Sequence, residues 1–113
     1  MTKQFITTLV FDKRWSALKL TDDDLRNLQN YLMQNPGAGD IIEGSGGLIK
    51  LRWSLPNTGK SSGIRVLYVD FVSYEKTIFI NCYPKSEQDN ITDKEKAMYK
   101  LAIKNIRNEL GGN

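Results

Sequence analysis

The 113-residue chain contains no histidine and only one cysteine. Without histidine it lacks the usual general base near neutral pH, the Ser-His and Cys-His nucleophile pairs and the commonest zinc ligand. Catalysis would have to use Lys, Arg, Tyr, Asp or Glu. Cys82 alone can form neither an intramolecular disulfide nor a cysteine-rich zinc site, and its apolar neighbours predict a small buried side chain in a reducing cytoplasm. The sequence gives no reason to expect a metal or a cofactor.

Long hydrophobic runs are also lacking. No stretch of about 18 apolar residues is present, and residues 1–6 have neither a long apolar segment nor a small-residue cleavage site. Secretion and membrane insertion are therefore not expected. The length predicts a single domain over residues 1–113, and the net charge of +3 favours anionic partners only weakly.

Acidic residues are missing between Gly44 and Val69. The cations of this window are Lys50, Arg52, Lys60 and Arg65, and Lys85 follows the next apolar run. Cations gathered beside glycine-containing backbone suit a polyanion better than a neutral substrate, and Trp53 and Tyr83 add rings on which a base can stack. The structural alternative is a lysine-bearing sheet edge that discourages aggregation.

The first third of the chain predicts a strand and two helices. Residues 5–10 are apolar and β-branched enough for a strand, and residues 11–18 favour a short helix. Thr21, followed by three aspartates, predicts a helix N-cap, and Leu25, Leu28 and Leu32 recur at helical spacing as core residues. The helix dipole explains these aspartates better than a metal site does.

The remainder predicts three strands, over residues 48–53, 64–74 and 77–83, and a last helix. Alternation places Lys50 and Arg52 on one face of the first strand. A capping box between Thr92 and Glu95 predicts the helix start. Its expected apolar stripe is Met98, Leu101, Ala102, Ile106 and Leu110.

The predicted fold class is α+β, with an N-terminal strand and two helices, an antiparallel three-stranded meander and a C-terminal helix. The first strand is expected to return to the sheet, while the helices cover one face and leave the other open as a basic binding surface. Residues 37–47, which are rich in glycine, predict an irregular connection, residues 56–63 a polar loop, and Glu75-Lys76 a tight turn.

Two motifs leave a choice of interpretation. Gly44-Ser45-Gly46-Gly47 lacks the Lys-Ser/Thr pair and the helix of a P-loop, which excludes nucleotide hydrolysis. Arg65 shares its strand face with Leu67 and other apolar residues, so it requires a partner. That partner is either a carboxylate such as Asp70 or Glu87, or an external phosphate.

The order of short segments resembles the HigB-like branch of the RelE/ParE toxin superfamily over nearly the whole chain. The segments that carry the likeness are Asn35-Pro36, Gly39-Asp40-Ile41-Ile42, Gly44-Ser45-Gly46-Gly47-Leu48, Lys50-Leu51-Arg52-Trp53, Gly59-Lys60, Gly63-Ile64-Arg65-Val66-Leu67-Tyr68, Tyr83-Pro84-Lys85-Ser86-Glu87 and Asp89. The resemblance implies a RelE-like fold.

It also implies a small cytoplasmic toxin of a type II toxin–antitoxin pair. The expected activity is a ribosome-dependent endoribonuclease that cuts mRNA in the A site by attack of a ribose 2′-OH on the adjacent phosphate, without a metal. The expected partners are a helix-turn-helix antitoxin, the ribosome with its rRNA, and mRNA.

The resemblance assigns roles by position. Arg65 matches the family arginine after the basic loop and is the expected clamp for the scissile phosphate. Lys50 and Lys60 are the candidate general bases, with Arg52 beside them to bind phosphate, because a lysine among other cations loses its proton more easily. Lys85 is the expected proton donor to the leaving 5′ oxygen.

Tyr83 is expected to stack on or orient a base, and Trp53 to contribute to RNA binding. Relatives often carry a second cation and a further glycine where this chain has Lys60-Ser61-Ser62-Gly63. Two alternatives therefore stay open: a ParE-like poison of DNA gyrase, and a non-catalytic relative that binds RNA or the ribosome.

Overall fold

The computed structural model describes residues 3–55, 63–88 and 90–112. The strands are β1 (Gln4–Thr7), β2 (Asp40–Ile41), β3 (Ile49–Trp53), β4 (Ile64–Phe71) and β5 (Lys76–Pro84), and the helices are α1 (Leu9–Ala17), α2 (Asp22–Gln34) and α3 (Asp93–Leu110). Together they confirm the α+β class. The predicted polar loop lies outside the described residues except for Gly63, and so do Lys60 and Asp89.

The five strands of the described residues belong to one sheet with the order β1-β5-β4-β3-β2. The predicted antiparallel meander of β3, β4 and β5 is confirmed, and β1 returns to pair with β5 in parallel. β1 is shorter than predicted because Thr8 caps the next helix: its hydroxyl accepts a hydrogen bond from the backbone N–H of Phe11 at 3.1 Å. Leu9 and Val10 therefore belong to α1.

β2 was not predicted, since residues 37–47 read as an irregular connection. Gly39 explains why this short strand lies so close to β3. Its φ is +112°, and a Cβ there would lie 2.6 Å from the Lys50 carbonyl oxygen. Tyr68 reaches the same segment, because its hydroxyl donates to the Ala38 carbonyl at 2.5 Å.

The helices α1 and α2 pack on one face of the sheet. Both predicted signals of α2 are confirmed: Thr21 and Asp24 form a capping box, and Leu28 and Leu32 are buried. Leu25 is only partly buried against the same cluster. The rings of Phe11 and Phe79 stack between α1 and β5 with centroids 5.1 Å apart.

On the opposite face of the sheet α3 packs over a second core cluster, so the expectation that this face is open is wrong for that part of it. Ile103 is fully buried in this cluster, which includes Leu67 of β4. Arg52, which lies on the same face, is exposed. The capping box of Thr92 and Glu95 is confirmed, but the predicted apolar stripe is only partly right. Met98 and Leu101 are 63% and 61% exposed, and Ala102 is exposed. The residues of α3 that pack with Ile103 are Tyr99, Ile106 and Leu110.

The connection from β4 to β5 is longer than the predicted two-residue turn at Glu75-Lys76 and lies earlier in the chain. β4 ends at Phe71, the 3₁₀ turn Val72–Tyr74 follows, and Glu75 adopts a left-handed φ of 54° before β5 begins. Asp70, at the end of β4, accepts a hydrogen bond from Thr77 of β5 at 3.1 Å and pairs with Lys3 at 3.3 Å. These contacts lie at the opposite end of β4 from Arg65.

Candidate functional site

Three of the predicted site residues form a row across the centre of the sheet. Arg52 of β3 is the Cα partner of Arg65 of β4, and Arg65 is the partner of Tyr83 of β5. Paired residues of neighbouring strands lie on the same face, with Cα atoms roughly 5 Å apart. The row therefore places two guanidinium groups and a phenol on the α3 side of the sheet within about 10 Å.

One lysine lies beyond each end of this row: Lys50 on the same face of β3, and Lys85 in the turn that follows β5. Lys85 follows Tyr83 by two residues, and its backbone N–H donates to the Gly63 carbonyl at 3.0 Å. Lys50 precedes Arg52 by two residues in β3, as the predicted alternation required. Asp40 of β2 is the Cα partner of Lys50, so the lysine at this end of the site has an acidic neighbour. We call Lys50, Arg52, Arg65, Tyr83 and Lys85 the cationic cluster.

Exposure divides the cationic cluster into two levels. Arg52 and Lys85 are exposed and Lys50 is half-buried, whereas Arg65 and Tyr83 are only 5% and 2% exposed. A ligand approaching the cluster from solvent would therefore meet Arg52 and Lys85 first. Arg65 lies beneath them as a deeper positive charge.

The two carboxylates considered as partners of Arg65 both have other partners. Asp70 binds Thr77 and Lys3, and Glu87 pairs with Arg14 of α1. Residues 65 and 70 also fall on opposite faces of β4, because strand side chains alternate. Asp70 therefore does not account for the burial of Arg65.

Trp53 is not brought together with the cationic cluster. It follows Arg52 directly and so faces the other side of the sheet, where its ring lies 5.2 Å from the ring of Tyr31 at an angle of 60°. This pair packs at the border of the core formed with α1 and α2. Lys60 lies outside the described residues, so its relation to the cluster stays a prediction.

Arg14 is a residue that the sequence did not single out. Its Nε donates to the Cys82 carbonyl at 3.1 Å, and its Nη2 donates to the carboxylate of Glu87. An arginine in a short amphipathic helix carries no sequence signal for such a contact, because the partners lie about 70 residues away. It nevertheless touches the segment that carries Lys85.

Cys82 is buried as predicted, on the α1 side of β5. Burial raises the pKa of its thiol to about 12, against the opposing effect of the Arg14 guanidinium. The thiolate that would act as a nucleophile is therefore scarce at neutral pH. The described residues include no group of three or more side chains able to hold a metal ion, and none of the described helices is long and apolar enough to cross a membrane.

The fold and the site together define a class: a mixed sheet between two helical layers, with cations clustered at one end of the central antiparallel strands. The family model for the RelE toxin of the RelE / RelB toxin-antitoxin system matches residues 3–110. The chain therefore belongs to the RelE toxin family.

A solved structure shows the same fold. The E. coli toxin RelE, in the free state and with two arginines replaced by alanine, aligns with a TM-score of 0.56 at 16% sequence identity. The alignment covers 79% of this chain and 90% of that one. At this identity the likeness extends to the architecture alone.

Proposed function

We propose that this toxin is a ribosome-dependent mRNA endoribonuclease of the HigB-like branch. The observation that supports it best is the register that aligns Arg52, Arg65 and Tyr83 across three strands and adds Lys85 beside them. A phosphate held among several cations is stabilised as negative charge builds up during transfer. Residues 44–69, which include all of β3 and most of β4, contain no acidic residue.

The cleavage is an attack of a ribose 2′-OH on its own 3′ phosphate, which leaves a 2′,3′-cyclic phosphate and a free 5′-hydroxyl. Lys50 or Lys60 takes the proton of the 2′-OH, and Lys85 returns a proton to the leaving 5′ oxygen. Arg52 binds the flanking phosphate at the surface. Contact of Arg65 with the scissile phosphate requires the side chains above it to move, because it is 5% exposed.

Family membership implies an antitoxin partner, for which we propose a small helix-turn-helix protein. The other proposed partners are mRNA and the ribosome, including its rRNA, and the proposed location is the cytoplasm. Tyr83 orients a base in this scheme only after the same rearrangement that uncovers Arg65, since it is 2% exposed. A contact of Trp53 with RNA would require the strand to reach the opposite face of β3, where the Trp53 ring packs against Tyr31.

The test is cleavage of mRNA on translating ribosomes by the purified protein, with 5′ ends mapped and 3′ ends probed for the cyclic phosphate. We expect Lys85→Ala to lower the rate by roughly 100-fold or more and Arg65→Ala by a similar factor. Lys19→Ala, in the exposed turn between α1 and α2, is the matched control and should cleave normally. Intact mRNA with the wild-type protein would refute the proposal.

A second candidate, a non-catalytic relative that binds the ribosome, is favoured by the low exposure of Arg65 and Tyr83. It predicts that the wild-type protein cosediments with ribosomes and leaves mRNA intact. A DNA-damage response on expression, with unchanged mRNA, would instead indicate a gyrase poison.

A further inference from the structure

Arg14 of α1 holds the chain on both sides of Lys85. Its Nε binds the carbonyl of Cys82, three residues before Lys85, at 3.1 Å. Its Nη2 binds the carboxylate of Glu87, two residues after Lys85. Because the guanidinium is planar and rigid, these two contacts are made from one fixed group.

The contact with Cys82 arises from the shortness of β1. The pairing of β1 with β5 ends at Thr7 and Phe79, so the later carbonyls on that edge of β5 need other donors. Alternate carbonyls of a strand face the same edge. The Thr8 hydroxyl donates to Ile80 at 2.8 Å, and Arg14 donates to Cys82.

The contact with Glu87 holds the chain on the C-terminal side of Lys85. The Glu87 backbone N–H donates to the Pro84 carbonyl at 3.0 Å, which makes residues 84–87 a β-turn with Lys85 in its second position. The Lys85 N–H donates to Gly63 at 3.0 Å. Lys85 is thereby held between the start of β4 and the Arg14 side chain.

We propose that Arg14 is a positioning residue that sets the place of Lys85 in RNA cleavage, an inference that rests on the proposed nuclease function. The side chains of Arg14 and Glu87 are 37% and 46% exposed. Ion pairs this accessible to water contribute little to stability. Loss of Arg14 should therefore leave the fold largely intact, while the segment that carries Lys85 loses the two contacts on either side of it.

The catalytic test compares Arg14→Ala with Lys13→Ala, an exposed neighbour on the same helix, in steady-state cleavage on ribosomes. We expect Arg14→Ala to lower kcat roughly 10-fold with KM for ribosomes unchanged, because small displacements of a catalytic group cost this much or more. Arg14→Lys should recover only part of the loss, since lysine lacks the fork that binds both partners. Glu87→Gln should show a loss similar to that of Arg14→Ala.

A double variant identifies the route of the effect. If Arg14 acts through Lys85, Arg14→Ala should lower the rate no further when Lys85 is already alanine. An equal further loss in that background would overturn the inference, and so would an unchanged kcat in Arg14→Ala alone.

Hydrogen exchange separates failure of this inference from failure of the nuclease proposal. In Arg14→Ala the amides of Lys85 and Glu87 should exchange at least several-fold faster, while the Val66 amide in the middle of β4 keeps its protection. A wild-type protein that cuts no mRNA refutes the nuclease alone. Unchanged exchange at Lys85 and Glu87 refutes the positioning role whether or not the protein cleaves.

Discussion

At the scale of single residues, the face of β5 on which a side chain lies decides what that side chain can do. Cys82 and Tyr83 are neighbours in the chain, yet one faces α1 and the other faces α3. Both are almost inaccessible to water. The thiol therefore serves as a core group, whereas Tyr83 belongs to the cationic cluster.

The pKa of Cys82 gives a prediction for stability at high pH. The folded state keeps its thiol proton until about pH 12, while the unfolded chain loses it above about pH 8.5. The free energy of unfolding should therefore fall as pH rises above about 9, by at most about 1.4 kcal/mol per pH unit for this group. Urea denaturation at several pH values measures the slope.

Cys82→Ala is the control for that measurement. Between about pH 9 and 10, tyrosines of the unfolded chain are still largely protonated. In that range the variant should lack the part of the pH dependence of the unfolding free energy that the Cys82 proton contributes. Tyr68 contributes only at higher pH, since burial raises its pKa far above that of an exposed tyrosine. An identical slope in the wild type and Cys82→Ala would contradict the assignment.

At the scale of elements, α3 shows that helix periodicity does not settle which side faces the core. The sequence favoured a stripe through Met98 and Leu101, but Ile103 and Tyr99 are the residues that meet the sheet. Tyr99 decides part of this rotation, because its hydroxyl accepts a hydrogen bond from the Asn81 side chain at 3.1 Å. Tyrosine has a large apolar ring in addition to its hydroxyl, and a pattern of purely apolar residues does not count that ring.

Two alanine substitutions in α3 test its rotation. Ile103→Ala should lower the free energy of unfolding by about 2–4 kcal/mol because it removes a fully buried side chain. Leu101→Ala, 61% exposed, should change it by less than about 0.5 kcal/mol. Denaturant unfolding of both variants gives the comparison, and the reverse order would mean that the stripe predicted from the sequence faces the core.

At the scale of the whole molecule, positive charge is concentrated rather than abundant. The chain carries 16 basic and 13 acidic residues, a net charge of only +3. The acids lie mainly at helix starts, at the far end of β4 and in the turns. Four residues of the cationic cluster share one face of the central strands, and Lys85 follows β5. Binding to a polyanion should therefore depend on a few local charges.

Salt dependence of ribosome or RNA binding measures those charges. If Arg52 and Lys85 each contact a phosphate, replacing either by glutamine should reduce the slope of log K against log salt by roughly 0.7–1. Lys19→Gln removes the same charge from the helical layer on the other face of the sheet and should leave the slope unchanged. Equal effects of all three variants would indicate that only the net charge matters.

Local signals predicted much of the fold. The capping boxes at Thr21 and Thr92 and the alternation along β3 depend on neighbours within a few residues, and all three were predicted and confirmed. β2 was missed because two residues carry no periodicity, and Gly39 is needed there only for close approach to Lys50. The cover provided by α3 was also missed, since it depends on contacts between distant segments.

The sequence by itself determined the α+β class, the faces of Lys50 and Arg52, and the charge pattern that favours an anionic partner, because these follow from alternation, capping and composition. Tertiary structure alone decided the row of Arg52, Arg65 and Tyr83, the depth of Arg65, and the contacts of Arg14 across about 70 residues. Strand register and helix rotation are set by side chains that meet only after folding. The geometry of a site assembled from β3, β4, β5 and α1 is therefore set by packing, whereas its positive charge follows from the residue types alone.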